Sequence, residues 1–142
     1  MSERDDLLVR IKRSFPAEPW SGRAAPHECP QCSALSLQLD GRAWADLDGA
    51  ELDELDVVLP LLSPEAFRSL VPAWLHHAVM DPDRPAAGYL IVHLEGGEHA
   101  PDFSRGQRDV VRAVVRFVLA NNIWGENDEG NRRALAAVES LW

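Results

Sequence analysis

Within six residues, His27-Glu28-Cys29-Pro30-Gln31-Cys32, the chain places both of its cysteines and one of its five histidines. A C-x-x-C turn lets two thiolates chelate one soft ion, and zinc takes four nitrogen or sulfur ligands in a tetrahedron. His27, Cys29 and Cys32 would supply three of them. The fourth falls to His76, His77, His93 or His99, or to a water that leaves an open position for hydrolytic chemistry, with Glu28 as the nearest base. The same thiols at a helix start suit dithiol redox chemistry, because the positive end of the macrodipole lowers a thiol pKa. Thioredoxin-type sites, however, follow a strand, and a Pro/Gly/Ala-rich loop precedes this motif. A structural role is the third reading: cysteine is often buried without any chemistry, and His27 would then cap or sit exposed.

Several catalytic signatures are missing from the sequence. It has no H-E-x-x-H, no G-x-S-x-G and no phosphate-binding G-x-x-x-x-G-K. Zinc deaminases carry H-x-E and then P-C-x-x-C, whereas here Pro30 lies between the cysteines. Ser33 stands where c-type haem attachment needs a histidine. His76 and His77 are neighbours on a helical segment and point about 100° apart, so one straight helix does not let both chelate one ion. They are expected at the edge of the core.

Charge is the second pattern with chemical content. Between Asp40 and Asp56 the chain has seven acids (Asp40, Asp46, Asp48, Glu51, Asp53, Glu54, Asp56) and one base, Arg42. Arg105, Arg108, Arg112 and Arg116 recur at helical spacing elsewhere. The plain reading is two solvated faces, or two faces that bridge each other inside the fold. The functional reading is that Asp46, Asp48, Glu51, Asp53, Glu54 and Asp56 dock a basic partner, with Trp44 as aromatic anchor. Most of the five tryptophans are expected in the core.

The elements that must position these residues read as helices. Leu7, Leu8, Ile11 and Phe15 recur at helical spacing before Pro16, and a second helix starts at Pro30 and ends at Asp40-Gly41. Asp48-Gly49-Ala50-Glu51 fits a capping box in which Glu51 reaches back. Ser63-Pro64-Glu65 opens a helix that Pro72 should kink or split in two. Tyr89 to Leu94 has strand-like composition, but an apolar run this short is not typed by periodicity, so helix and strand both stay open there. Ser104-Arg105-Gly106-Gln107 is a second capping box, before the buried stripe Val110, Val111, Val114, Val115, Val118 and Leu119. After a polar loop from Gly125 to Gly130, a last helix turns Leu135, Val138 and Leu141 inward. The expected fold is all-α: one compact domain over residues 1–142, with five to six helices and at most one strand near 89–94.

With 142 residues the chain is long enough for a core of its own. A net charge of −9 argues against nucleic acid, whose phosphates require clustered Lys and Arg. The charged opening Met1-Ser2-Glu3-Arg4-Asp5-Asp6 lacks the apolar stretch of a secretory signal, and no run nears the ~18 apolar residues of a membrane span. The cytosol is the expected compartment.

The run Leu62-Ser63-Pro64-Glu65-Ala66-Phe67-Arg68, then Val71-Pro72-Ala73-Trp74-Leu75, lies downstream of His27-x-Cys29-x-x-Cys32 and Trp44. Together these resemble a family of small uncharacterised bacterial proteins that share an L-[ST]-P-x-A-[FY]-R … P-A-[aromatic]-L core. The resemblance spans residues 5–120 and implies an all-helical domain without established activity. By size and charge the chain is also similar to immunity proteins of contact-dependent toxin systems. Two functions follow as expectations: a non-enzymatic binding module, immunity-type or adaptor, that uses the acidic segment, or a zinc protein built on His27, Cys29 and Cys32.

Overall fold

The computed structural model describes residues 2–55 and 58–142. Among them every regular element is helical: α1 (Glu3–Ser14), α2 (Pro30–Leu39), α3 (Gly49–Glu54), α4 (Pro64–Met80), α5 (Pro85–Glu95), α6 (Arg105–Asn121) and α7 (Glu129–Leu141). Single 3-10 turns lie at Trp44–Asp46, Leu59–Leu61 and Ala100–Asp102. The fold is all-α, with seven helices rather than five or six. Buried residues from all seven join one hydrophobic core.

Helix starts follow local chemistry. Ser2, Asp48, Ser63, Ser104 and Asp128 each accept a backbone N–H three residues on, which satisfies one of the donors a helix start leaves free. The box at Ser104 and Gln107 is complete, and Gln107 also donates to Ser14 O at 3.0 Å, tying α6 to the end of α1.

α4 is the central helix and packs against α1, α5 and α6. It runs unbroken through Pro72, so the expected division into two helices does not occur. Phe67, Leu70, Trp74 and Leu75 are at most 1% exposed. Burial on several sides offsets the ~3 kcal/mol that an interior proline costs.

The segment 89–94, open to either helix or strand from its sequence, is part of α5. Arg84 precedes it and Pro85 sits in its first turn, where the missing N–H is not needed. Ala86, Ala87, Leu90, Ile91 and Leu94 are buried, a helical period that outweighs the strand-like composition. Tyr89 and Val92 remain on the outer side at 45% and 68% exposure.

α7 also differs from expectation. Asn131, Ala134, Val138 and Trp142 are its inward residues, while Leu141 is 49% exposed. Trp142 takes the place expected of Leu141 and donates its indole N–H to Leu94 O at 2.9 Å. Steps of three, four and four residues keep one face aligned, and that register turns Leu141 away. No helix among the described residues is long and apolar enough to cross a membrane.

Candidate functional site

Cys29 is the N-cap of α2, with extended backbone, and its Sγ accepts the Cys32 N–H at 3.2 Å. Pro30 fills the first helical position. N-cap and third helical position face each other, so the two side chains meet. Both thiols are free, Cys29 half-buried and Cys32 buried. The Cys32 thiol donates to the Cys29 sulfur, and that bond, followed by the Cys32 N–H, holds the Cys29 pKa below its ordinary value. The same bond, then burial, pushes Cys32 up.

The loop before the motif is pinned. Ser36 Oγ accepts the N–H of Ala24 at 3.1 Å, and Arg23 donates to His27 O at 2.9 Å. The His27 side chain is exposed. The structure therefore brings together two of the three expected zinc ligands. Among the described residues no group of three or more His, Cys, Asp and Glu side chains is arranged to hold one metal ion.

In the acidic segment the structure divides the carboxylates by use. Glu51 forms a two-pronged pair with Arg42, at 2.7 and 3.0 Å, instead of reaching back to complete a capping box. The Arg42 hydrogen bond holds the Glu51 carboxyl below its ordinary pKa. Asp53 accepts from Arg84 at 2.8 Å. Asp46 caps the turn at Ala43 N, 2.9 Å away, and Asp48 caps α3 at Glu51 N, 2.8 Å away. Asp40, Asp46, Asp48 and Glu54 are exposed and form no ion pair among the described residues. Asp56 lies outside the described residues. Among the described residues the helical arginines make no ion pair with this segment: Arg116 pairs with Glu139, and Arg112 with Asp109.

Trp44 is not the exposed anchor expected of it. The 3-10 turn directs its ring inward, it is 4% exposed, and its indole N–H donates to Phe15 O at 2.8 Å. It lines instead a cleft of about 300 Å³ shared with Lys12, Asp46, Asp48, His76 and His77. His77 Nε2 lies 3.0 Å from Leu47 O, and the His76 ring centroid is 6.0 Å from that of Trp44. Burial, and then the neighbouring His77, keep the His76 pKa low. Its lining sets the carboxylates of Asp46 and Asp48 beside the Lys12 amine and the two imidazoles.

The most exposed aromatic among the described residues lies elsewhere. Trp124 and Ile123 are 67% and 74% exposed in the loop between α6 and α7. That loop is anchored from below by Asn131, only 8% exposed, whose amide nitrogen lies 3.0 Å from Leu119 O, 2.8 Å from Asn122 Oδ1 and 2.9 Å from Gly125 O. Asn122 Oδ1 in turn accepts the N–H groups of Trp124 and Gly125, at 3.1 and 3.0 Å. On its other side the Ile123 N–H donates to Asp83 at 2.8 Å. Asp83 precedes Arg84, which binds Asp53 and lays its guanidinium against Gly49. One short turn thus joins the acidic helix α3 to the Ile123–Trp124 loop. The signal in the sequence was an Ile-Trp pair after a helix stop, with no periodic partner on either side.

No known family, curated protein or solved structure matches the chain.

Proposed function

We propose that the protein is a non-enzymatic protein-binding module, of the adaptor or immunity type, that docks a basic partner. The docking surface runs from the exposed acids Asp46, Asp48 and Glu54, across the Asp83–Arg84 turn, to Ile123 and Trp124. The observation that carries this reading is the turn itself: its consecutive residues hold the acidic helix through Asp53 and the exposed aromatic loop through the Ile123 N–H. Asp81, Asp83 and Glu126 add exposed carboxylates beside that loop. Such a surface steers a cationic partner by its field and holds it by burying an aromatic anchor. The hydrogen bonds under the loop fix the Trp124 backbone before binding, which reduces the ordering cost of the complex. Trp124 here takes the role first assigned to Trp44. The alternative of zinc at His27, Cys29 and Cys32 gains no supporting observation, since only the two thiols meet.

Selection of a random displayed peptide library on the folded protein tests the reading. The expected winners carry Lys or Arg together with a large apolar residue, and lose at least tenfold in affinity against Glu54→Lys and against Trp124→Ala. Winners without net positive charge, or with undiminished affinity for both variants, would defeat it.

A further inference from the structure

We propose that Cys29 and Cys32 form a stoichiometric disulfide-exchange site, oxidised once per chain without turnover, whose reactants are disulfides presented from solution. This lies outside the docking surface and rests on separate observations. The chain's only two sulfhydryls occupy the N-cap and third position of α2, one helical turn apart, with the Cys29 sulfur on the Cys32 N–H. Their environments are unequal: Cys29 is half-buried at the surface end, while Cys32 is 1% exposed beneath it. The sulfur of the less buried residue, Cys29, accepts the Cys32 N–H at 3.2 Å. A backbone N–H placed on a sulfur suits it to act as the attacking group. Arg23 is held over the adjoining loop by its bonds to Ala25 O and His27 O. A pair kept only for packing has no need of this asymmetry.

The exchange balances in two steps. The Cys29 thiolate attacks one sulfur of an incoming disulfide, forming a mixed disulfide and expelling the other half as a thiolate. The Cys32 thiol then gives up its proton to solvent or to the expelled thiolate, and attacks Cys29 Sγ. This forms the Cys29–Cys32 bond and releases the second half. The protein dithiol is oxidised by two electrons and the substrate disulfide is reduced to two thiols. Burial of Cys32 keeps it from reacting first, so the order of attack is set by the fold.

The test uses the reduced full chain, with a chelator present throughout, and two probes: oxidised glutathione and a disulfide-bonded peptide. Products are trapped with acid and weighed by mass spectrometry. The wild type is expected to lose two hydrogens and keep no adduct. Cys32→Ser should accumulate one adduct on Cys29, and Cys29→Ser should react at least tenfold more slowly. Cys32→Ala replaces Cys32→Ser should circular dichroism show the serine variant unfolded. Exchange with either probe supports the site, and the faster probe identifies the source of the disulfide. A folded wild type that reacts with neither, that stops at the adduct, or whose two cysteines react at equal rates overturns it.

Discussion

In the stretch from Trp44 to Glu54 the aromatic ring is inside and five carboxylates face out or sit at the edge. In the loop from Asn122 to Asp128 the order is inverted, since the rings and aliphatic groups of Trp124 and Ile123 face out while side-chain amides work beneath the backbone. The difference follows from which backbone groups need partners. Residues 43–51 form two short helical pieces whose N–H groups are satisfied by the carboxylates of Asp46 and Asp48, so those acids must stay near the surface and Trp44 is free to turn in. The loop after α6 leaves carbonyls of Leu119 and Gly125 pointing inward, and Asn131 rises to meet them. With that space occupied by amides, Trp124 has no inner site. Leaving a large apolar side chain in water forgoes about 1.5–3 kcal/mol of burial. Such a cost is commonly recovered at an interface.

Breaking the support of the exposed loop should cost both stability and binding. Asn131→Ala leaves buried carbonyls without a donor and is expected to cost about 2–3 kcal/mol in urea unfolding. It should also remove any binding that depends on Trp124. If the variant is as stable as wild type, the amides do not hold the loop. The charge side of the comparison is smaller. Glu51→Gln weakens the bond to Arg42 and is expected to cost about 1 kcal/mol at neutral pH. Its sign with pH is fixed: the folded chain holds Glu51 below its ordinary pKa, so it binds fewer protons there than the unfolded chain. The contribution is whole above the ordinary carboxylate value and is lost as pH falls through the folded value. Wild type and Glu51→Gln should therefore converge in stability in acid, and parallel curves would refute the pairing.

Asp48→Ala removes an N-cap and should cost about 1 kcal/mol. Asn at the same position should restore most of it, because the cap needs an oxygen rather than a charge. The smallest effect on folding is expected at the other end of the surface. Trp124→Ala should change stability by no more than about 0.5 kcal/mol, while Trp44→Ala, at a buried ring with a hydrogen-bonded indole, should cost about 3–5 kcal/mol. Equal losses for the two tryptophans, measured by thermal or urea unfolding, would erase the contrast between the regions.

Helix starts, the buried stripe of α6 and the all-α class were legible in the amino-acid order, because capping and the 3.6-residue period act over three or four neighbours. The meeting of Cys29 and Cys32 was legible for the same reason, since N-cap and third position are fixed relative to each other by one helical turn. Contacts between distant residues were not. Whether Glu51 capped its own helix or paired with Arg42, whether Trp44 or Trp124 faced solvent, and whether 89–94 became strand or helix depended on what lay across the gap. The Asp83–Arg84 turn shows why: its two side chains reach residues 40 and 31 positions away in sequence. Local spacing determined where helices begin and which residues share a face. Which charges were neutralised and which aromatic stayed in water was decided only when the helices packed, because burial and pairing are properties of the space between elements.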